Sequence, residues 1–217
     1  MKGVVFDMDG VLVDSMAFHI YSWCEAFKKS NLVVSDEELS LFEGMPYRET
    51  VDYVSKKNNV SLSESEKKLI YTIKKDILDS VFELKTYLGI VDFVSLLKKQ
   101  GFKLAVVTGS NREFADKVVS SFFGGSFDFV ITSDDVIKGK PNPEPYLKAI
   151  NLIGLEKKDL VVIENAPLGI KSAKDAGLKV IALETTLDKM HLGEADIVFN
   201  NHAGLFDYFS SLITPRC

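Results

Sequence analysis

The chain has 217 residues, of which 46% are hydrophobic, and a formal net charge of -5 at pH 7. This length and apolar fraction indicate a folded globular protein with one domain, or one domain that carries a smaller inserted module. The negative charge disfavours nonspecific binding to nucleic acid or to an anionic membrane surface. We therefore expect neither nucleic acid nor a membrane among its partners.

Neither a targeting signal nor a cysteine framework is visible in the sequence. No apolar run approaches the ~18 residues of a membrane-spanning helix, and the first residues enter an apolar strand pattern directly. We therefore expect a cytoplasmic protein, with a monomer as the default oligomeric state. Cys24 and Cys217 are the only cysteines in the sequence, which leaves no disulfide framework and no zinc-ligand cluster.

The first predicted strand ends in two carboxylates. The apolar run from Val4 to Phe6 is bounded by Asp and Gly, a pattern that predicts a fully buried parallel strand. Open α/β sheets bind ligands outside the carboxyl ends of such strands. Asp7 and Asp9 are two residues apart on an extended backbone, so both side chains can face one small ligand while Met8 points away.

Two carboxylates that face one small site repel each other and require a counter-charge. Magnesium suits this arrangement, because Mg²⁺ takes oxygen ligands and combines one or two protein carboxylates with substrate phosphate and water. A calcium-binding EF-hand loop also begins with an Asp-x-Asp pattern, but its Gly stands at the sixth position of a polar loop. Here Gly10 follows Asp9 directly and apolar residues resume, which makes the EF-hand interpretation weak.

A helical module follows the first strand. Apolar and aromatic residues recur at helical spacing over residues 15–29, and Ser15 can cap the start of this helix. Helical patterns continue to about Tyr87 with few β-branched runs. The sequence therefore predicts a small α-helical cap domain over residues 15–87, inserted into a core domain formed by residues 1–14 and 88–217.

Beyond this insertion, strands alternate with amphipathic helices. This rhythm predicts right-handed crossovers and a mainly parallel sheet. We therefore predict an α/β fold whose core is a Rossmann-like parallel sheet flanked by helices. The predicted strands cover residues 103–108, 127–131, 160–163, 179–183 and 197–199.

Four groups of polar residues lie at the same edge of the predicted sheet, each at the end of a strand or in a loop at that edge. Each group alone is ordinary, because an isolated Asp-x-Asp pattern in a turn is more often a solvated loop or cap than a catalytic pair. The agreement of four groups favours a functional site. They are Asp7 with Asp9, Thr108 with Gly109 and Ser110, the Lys140-Pro141 loop, and Glu164 with Asn165.

With these motifs in this order, the chain resembles the haloacid dehalogenase-like hydrolase superfamily, in the beta-phosphoglucomutase-like subgroup whose small helical cap follows the first strand. The resemblance spans nearly the whole chain. It implies that Asp7 attacks a phosphoryl group to form an aspartyl phosphate. It also implies that Asp9 protonates the leaving oxygen and then activates water, roles for which we expect a raised pKa of Asp9.

The resemblance assigns the phosphate contacts to Thr108, to the backbone N–H groups of Gly109 and Ser110, and to Lys140. A strand-to-helix turn favours anions, although Ser110 as a simple helix cap is an equal alternative. Lys140 would act as a point charge that stabilises the transition state. The neighbouring pair Asp134 and Asp135 is interpreted as loop or capping residues.

The implied Mg²⁺ site combines a side-chain oxygen of Asp7, the backbone carbonyl of Asp9, and side-chain oxygens of Glu164 and Asn165. Most members of the superfamily have Asp where Asn165 stands. An amide oxygen is a legitimate but neutral ligand, so Asn165 either binds the metal directly or lies behind its ligands.

The predicted cap supplies candidate substrate contacts. Ser15, His19 and Trp23 follow one another at i, i+4 spacing, which is usual for packing but here starts one turn beyond Asp9. By resemblance, His19 assists acid-base chemistry and Trp23 borders the substrate. The further candidates are Glu43 and Gly44 in the cap loop, Arg48 as a bidentate phosphate ligand, and Lys75 as a second phosphate contact.

The leading hypothesis is a magnesium-dependent phosphatase for a small phosphorylated metabolite, such as a sugar phosphate, phosphoglycolate or pyrophosphate. The alternative enzyme is a phosphomutase, which uses the same phosphoaspartate but requires a cap that excludes water and holds a second phosphate. A third hypothesis is a non-catalytic phosphate-binding regulatory protein, since fold alone does not establish catalysis. Dehalogenation and phosphonate cleavage fit the motifs less well.

Overall fold

The computed structural model describes residues 1–213, and Cys217 lies outside this range. Its centre is a six-stranded parallel sheet. The strands, numbered in chain order, are β1 Gly3–Phe6, β2 Lys103–Val107, β3 Phe129–Ile131, β4 Leu160–Glu164, β5 Lys179–Leu183 and β6 Ile197–Phe199. Their order in the sheet is β3-β2-β1-β4-β5-β6. The predicted α/β fold with a parallel, Rossmann-like sheet is confirmed.

Helices cover both faces of this sheet and fill the long connection after β1. The α-helices are α1 Met16–Lys29, α2 Asp36–Leu41, α3 Tyr47–Lys57, α4 Glu64–Val81, α5 Ile90–Lys99, α6 Arg112–Phe122, α7 Glu144–Ile153, α8 Pro167–Asp175 and α9 His202–Ile213. Buried residues of α5, α6 and α9 pack on one face of the sheet. Buried residues of α7 and α8 pack on the other face, so the core has three layers.

The central position of β1 determines where polar groups can converge. All four residues of β1 are buried, and the strand pairs with β2 on one side and β4 on the other. Because all three strands are parallel, their carboxyl ends open at one edge of the sheet. The segments after β1, β2 and β4 are therefore neighbours at that edge.

One predicted strand begins later than the sequence pattern suggests. The structure starts β3 at Phe129, whereas the prediction starts it at residue 127. The reason is Asp128. Its side chain accepts a hydrogen bond from the Leu104 backbone N–H of β2 at 2.9 Å and forms an ion pair with Lys98 at 2.8 Å. The Asp128 carboxylate thus takes the place of a backbone carbonyl as the partner of Leu104, and regular strand pairing begins after it.

The helices α1 to α4 form a helical insertion with a small apolar core of its own. Phe27 of α1, Val54 of α3 and Ile70 of α4 are among its buried residues. Capping boxes start α2 at Ser35 and α4 at Ser63, which satisfies the free N–H groups of both helix ends. The division into core and cap domains at residues 15 and 87 stays a prediction.

The two connections of the helical insertion run side by side. The Asp14 backbone N–H donates to the Lys85 carbonyl at 3.0 Å, and Val13 forms an antiparallel bridge with Thr86. The chain therefore leaves and re-enters the sheet region at one place. Within residues 1–213, no helix combines the length and the apolar character needed to cross a bilayer.

We expect Phe27→Ala to lower the free energy of unfolding by about 3–5 kcal/mol, because the mutation leaves a cavity in the small core of the helical insertion. The Phe27 side chain is fully buried and stacks on Trp23 at a centroid distance of 5.2 Å. Urea denaturation measures the change. Tyr21→Ala on the same helix is the control, since Tyr21 is 51% exposed; equal losses in both variants would contradict the packing described.

Candidate active site

Asp7 and Asp9 enter one cleft between the sheet edge and the helical insertion. The Asp7 backbone N–H donates to the Ile163 carbonyl of β4 at 2.9 Å, which extends the β-ladder one residue beyond β1. Gly10 then adopts a φ of +83°, and a Cβ atom there would lie 2.0 Å from Asn165 Nδ2. Only glycine allows the chain to turn so close to Asn165.

The ammonium group of Lys140 bridges two buried carboxylates. Its Nζ atom lies 2.5 Å from Asp7 Oδ1 and 2.6 Å from Glu164 Oε1, and it donates a third hydrogen bond to the Val107 carbonyl at 3.2 Å. Burial alone would lower the pKa of Lys140, but Asp7 and Glu164 hold that pKa well above its ordinary value. Lys140 is therefore charged in the site.

Asp7 has an excess of negative charge around it even with Lys140 present. Burial raises the pKa of Asp7 to about 8; the Lys140 ammonium opposes this rise, whereas the carboxylates of Glu164 and Asp9 add to it. A carboxylate in such a place is stabilised in its ionised form only by further positive charge. Lys140 contacts Asp7 directly, and the carboxylates of the site still outnumber its cations.

Asp9 has the opposite electrostatic character. Ser15 Oγ donates to Asp9 Oδ1 at 2.6 Å, Ser110 Oγ donates to Oδ2 at 2.8 Å, and His19 Nε2 lies 3.4 Å from Oδ1. Burial alone would raise the pKa of Asp9, but His19, Ser15 and Ser110 lower it to about 2. The expectation of a raised pKa for Asp9 is therefore wrong, because hydrogen bonds to the ionised form outweigh desolvation.

Ser15 also differs from its predicted role. It precedes α1, but its side chain makes no capping hydrogen bond to the helix. The hydroxyl is directed to Asp9 instead. The sequence pattern of an N-cap does not distinguish these two uses of a buried serine.

His19 is held by a buried lysine that the sequence analysis did not select. Lys74 Nζ lies 3.0 Å from His19 Nδ1, and burial lowers the pKa of Lys74 to about 8. Burial, and then Lys74, lower the pKa of His19 below its ordinary value. An ammonium donor at Nδ1 places the ring proton of neutral His19 on Nε2, which faces Asp9.

A signal for Lys74 was present in the sequence. Ile70, Lys74 and Leu78 form the buried face of α4 at i, i+4 spacing. A lysine on the apolar stripe of an amphipathic helix requires a partner. The predicted residue, Lys75, is exposed and lies at the rim of the cavity.

Glu164 has four protein donors. Its Oε1 atom accepts from Lys140 at 2.6 Å and from the Tyr146 hydroxyl at 2.9 Å, while Oε2 accepts from the backbone N–H groups of Asn165 and Ala166 at 2.9 and 3.2 Å. The predicted role of Glu164 as a metal ligand therefore competes with four hydrogen bonds. In this structure it anchors Lys140.

Asn165 contacts Glu43 through its amide nitrogen and has one side-chain oxygen without a partner. Its Nδ2 atom donates to both carboxylate oxygens of Glu43 at 2.9 and 3.0 Å and to Thr186 Oγ1 at 3.0 Å. Its Oδ1 atom is buried without a hydrogen-bond partner. A buried amide oxygen without a donor is costly, and a cation would satisfy it.

Glu43 brings a further carboxylate from the helical insertion to this edge of the sheet. Burial raises its pKa well above the ordinary value; Asp7 adds to the rise and the Asn165 amide opposes it. Asp at position 165 would repel Glu43, whereas the Asn165 amide donates to it. The pair therefore joins the helical insertion to the core.

The residues present fit a divalent cation such as Mg²⁺. The single Lys140 ammonium does not balance Asp7 and its neighbouring carboxylates, and Asn165 has a buried oxygen without a donor. Across residues 1–213, no group of three or more His, Cys, Asp and Glu side chains is arranged to hold a metal. The fit therefore depends on the amide oxygen of Asn165 and the backbone carbonyl of Asp9 beside the carboxylates.

The loop after β2 contacts Oδ2 of Asp9, whereas Ser15 and His19 lie beside Oδ1. Thr108 Oγ1 lies 3.5 Å from Asp9 Oδ2 and accepts a hydrogen bond from the Ser110 backbone N–H at 3.0 Å. The Ser110 N–H is thus occupied, whereas Gly109 borders the cleft. Asn111, and not Ser110, caps α6.

The interpretation of Asp134 and Asp135 as loop and capping residues is confirmed. The Asp134 carboxylate accepts a hydrogen bond from the Arg112 backbone N–H at 2.8 Å. Asp135 forms a capping box with Thr132. The Asp134 contact fastens the loop after β3 to the start of α6, whereas the capping box orders the loop after β3 itself.

The cavity that contains Asp7 and Asp9 has a volume of about 560 Å³, and part of its wall is aromatic: Trp23, Phe42, Tyr47, Tyr71 and Phe114. Tyr47 and Tyr71 stack at a centroid distance of 4.2 Å, and Trp23 lies below the Lys74 ammonium at 5.7 Å. Gly44 borders the cavity, and a Cβ atom there would lie 3.2 Å from Lys140 Cδ. The cavity can hold an organic group beside a phosphoryl group at Asp7.

Arg48 does not reach this cavity. Its side chain is 66% exposed, pairs with Glu64 at 3.4 Å and lies over the Tyr47 ring. The predicted bidentate phosphate contact is absent from this structure because Arg48 occupies the outer face of α3.

Comparison with known proteins gives consistent matches over nearly the whole chain. The model of the family described as haloacid dehalogenase-like hydrolase matches residues 4–183. Validoxylamine A 7'-phosphate phosphatase of Streptomyces hygroscopicus subsp. limoneus is 31% identical over 203 residues, covering 92% of this chain and 93% of that protein. Hexitol phosphatase A of Escherichia coli (strain K12) is 29% identical over 201 residues, covering 92% and 91%.

A solved structure is also similar to this chain over nearly its whole length. A Bacteroides vulgatus protein assigned as a beta-phosphoglucomutase superposes with a TM-score of 0.90 at 34% sequence identity, covering 98% of this chain and 88% of that one.

We expect Asp7→Asn to stabilise the metal-free protein, and to do so more at pH 8.5 than at pH 5. Burial raises the pKa of Asp7 from 3.8 to about 8 in the folded protein, so the wild type loses stability progressively as the pH rises from 3.8 to about 8, and the full loss is present above pH 8. In EDTA, the melting temperature of the variant should exceed that of the wild type by roughly 3–10 °C at pH 8.5. Asp175→Asn, at an exposed ion pair, is the control; an equal gain at both pH values would contradict the raised pKa.

Proposed function

The chain belongs to the haloacid dehalogenase-like hydrolases and is a phosphoric monoester hydrolase, and we propose that it is a magnesium-dependent phosphatase that acts through an aspartyl phosphate on Asp7. One observation carries this proposal. Asp7 and Asp9 share a cleft, but Asp7 contacts a buried ammonium whereas Asp9 accepts hydrogen bonds from two hydroxyls. Two carboxylates in such different surroundings suit two different roles.

In the first step, an Asp7 carboxylate oxygen attacks phosphorus and the bond from phosphorus to the leaving oxygen breaks. Because its low pKa leaves Asp9 ionised, Asp9 first takes up a proton from solvent and then donates that proton to the leaving oxygen. Lys140 lies where negative charge spreads over the phosphoryl oxygens, so its ammonium stabilises the transition state.

In the second step, water attacks phosphorus and the bond to Asp7 breaks, which releases inorganic phosphate. Asp9 takes the proton of this water, and its ionised form at neutral pH suits that role. His19 holds Asp9 from the side of the helical insertion. The same carboxyl group thus serves both steps.

The proposed Mg²⁺ ligands are the Asp7 carboxylate, the Asp9 carbonyl and the Asn165 amide oxygen. When bound, Mg²⁺ supplies positive charge that keeps Asp7 ionised and neutralises the phosphoryl group. Glu43 lies close enough to Asn165 to add a carboxylate near this position. Glu164 contributes by holding Lys140.

For the substrate we propose the phosphate ester of a sugar or a sugar-like polyol. The relatives named above include a hexitol phosphatase and a phosphatase of a validoxylamine phosphate. The cavity of about 560 Å³ has room for such an organic group, and its aromatic wall can pack against the C–H face of a ring. Phosphoglycolate and pyrophosphate are smaller and use little of this wall.

The phosphomutase is the second candidate, favoured by the similarity to the Bacteroides vulgatus structure. A mutase must hold a second phosphate in the cavity. Arg48 faces away from the cavity, and Lys74 is already paired with His19. These positions favour the phosphatase over the mutase. The non-catalytic hypothesis is less favoured, because it leaves Asp9 and its hydrogen-bond donors without a role.

We expect Asp7→Asn to reduce magnesium-dependent phosphate release by at least about 10³-fold, because the amide is no nucleophile. Release is measured with sugar phosphates, hexitol phosphates, phosphoglycolate and pyrophosphate, and conversion of glucose 1-phosphate to glucose 6-phosphate is followed in parallel. Asp175→Asn should retain wild-type rates. Isomerisation faster than release would establish the mutase, and no turnover of any compound by the wild type would favour the binding protein.

Lys74→Met should lower kcat/KM by about 10- to 100-fold, whereas Lys68→Met should change it less than about threefold. Lys74 fixes the proton position of His19 beside Asp9, and removing it leaves Nδ1 of His19 without that donor. Lys68 lies on the same helix, is exposed and does not line the cavity, so it serves as the matched control. Equal effects of the two substitutions would show that the His19 contact does not matter for turnover.

A further inference from the structure

Tyr146 lies directly behind the two charged groups that meet at the nucleophile. It belongs to α7 and is fully buried among the apolar residues of one face of the sheet. Its hydroxyl donates to Glu164 Oε1 at 2.9 Å, and Lys140 Nζ lies 5.3 Å from the centre of its ring. One side chain thus contacts both members of the Lys140 and Glu164 ion pair.

The hydroxyl is the part of Tyr146 that packing does not explain. The ring fills the core between α7 and the sheet, a position that phenylalanine fills equally well. A buried hydroxyl is costly unless it has a hydrogen-bond partner, and here the partner is a charged carboxylate. The contribution of the hydroxyl is therefore its hydrogen bond to Glu164.

Glu164 is held rigidly in one orientation. Its two oxygens accept from Lys140, from Tyr146 and from two backbone N–H groups. Its carboxylate also lies against Gly169, where a Cβ atom would come within 1.7 Å of Oε1. Gly169 closes one side of the carboxylate, and the four donors fix its orientation on the remaining sides.

The orientation of Glu164 in turn directs Lys140. Oε1 of Glu164 is the atom that accepts from both Lys140 and Tyr146. Lys140 Nζ then points to Asp7 Oδ1 at 2.5 Å. A lysine stem has four rotatable bonds, so a fixed anion is needed to keep its ammonium at one place.

We propose that Tyr146 is a positioning residue: its hydroxyl holds Glu164 so that Lys140 is presented to the phosphoryl group on Asp7. The inference rests on the proposed function, because the position of Lys140 affects turnover only if Asp7 receives the phosphoryl group. Tyr146 contacts neither Asp7 nor the cleft, so it acts only through Glu164 and Lys140.

The test is Tyr146→Phe, which keeps the ring and removes the hydroxyl, with Tyr21→Phe as the control at an exposed tyrosine. We expect kcat to fall about tenfold while KM stays within about twofold, because the effect falls on the transition state. Melting temperatures show that both variants fold. In the Glu164→Gln background, Tyr146→Phe should have less than about a twofold effect, since the carboxylate to be held is gone.

Calorimetric titration with orthovanadate and with inorganic phosphate gives a second readout that needs no turnover. Tyr146→Phe should weaken vanadate binding about tenfold and change phosphate binding less than about twofold. If the wild type hydrolyses no ester, the proposed function fails, and the vanadate titration still decides the role of Tyr146.

Unchanged kcat and unchanged vanadate affinity in a Tyr146→Phe variant that melts at the wild-type temperature would overturn the proposal. An equal loss of kcat in the Glu164→Gln background would also overturn it, because Tyr146 would then act without Glu164. If Tyr146→Phe does not fold, the vanadate and phosphate affinities of Glu164→Gln are measured instead. Affinities equal to those of the wild type would show that Glu164 does not position Lys140, which would overturn the proposal.

Discussion

The balance of buried charge at the carboxyl end of β1 is the constraint on which the rest of the site depends. Asp7 and Glu164 are almost fully buried beside one ammonium group, that of Lys140. Separating such charges from water is costly unless each is paired and hydrogen-bonded. Asp9 and Glu43 add two further carboxylates, so the site is short of positive charge, which a bound divalent cation would supply.

The fold supplies this arrangement because three parallel strands end side by side. Asp7 follows β1, Thr108 follows β2, and Glu164 ends β4. Each strand is buried by its apolar residues, so their ends are fixed by the core and not by the polar groups. The helical insertion then covers the edge with His19, Lys74 and Glu43, which makes the second half of the site depend on how these helices pack.

The core part of the site was predictable from sequence, since apolar runs that end in Asp7, Thr108 and Glu164 place these residues at one edge. The part contributed by the helical insertion was less so. Lys74 and Lys75 differ by one residue and by about 100° of helix rotation; the apolar stripe of α4 includes Lys74, but the contact of Lys74 with His19 depends on how α1 packs on α4. The shift in the pKa of Asp9 was predicted in the wrong direction because that direction depends on Ser15 and His19 at the start of α1 and on Ser110 in the loop after β2.

The central claim is that Asp7 receives the phosphoryl group, and mapping of the phosphorylated residue tests it most directly. A substrate labelled in its phosphoryl group is mixed with enzyme and Mg²⁺, quenched in acid within milliseconds and digested for mass spectrometry. We expect label on the peptide that contains Asp7, at the Asp7 side chain, and decay of this label as inorganic phosphate forms. Label on another residue, or rapid turnover with no labelled protein at any quench time, would show that Asp7 is not the nucleophile.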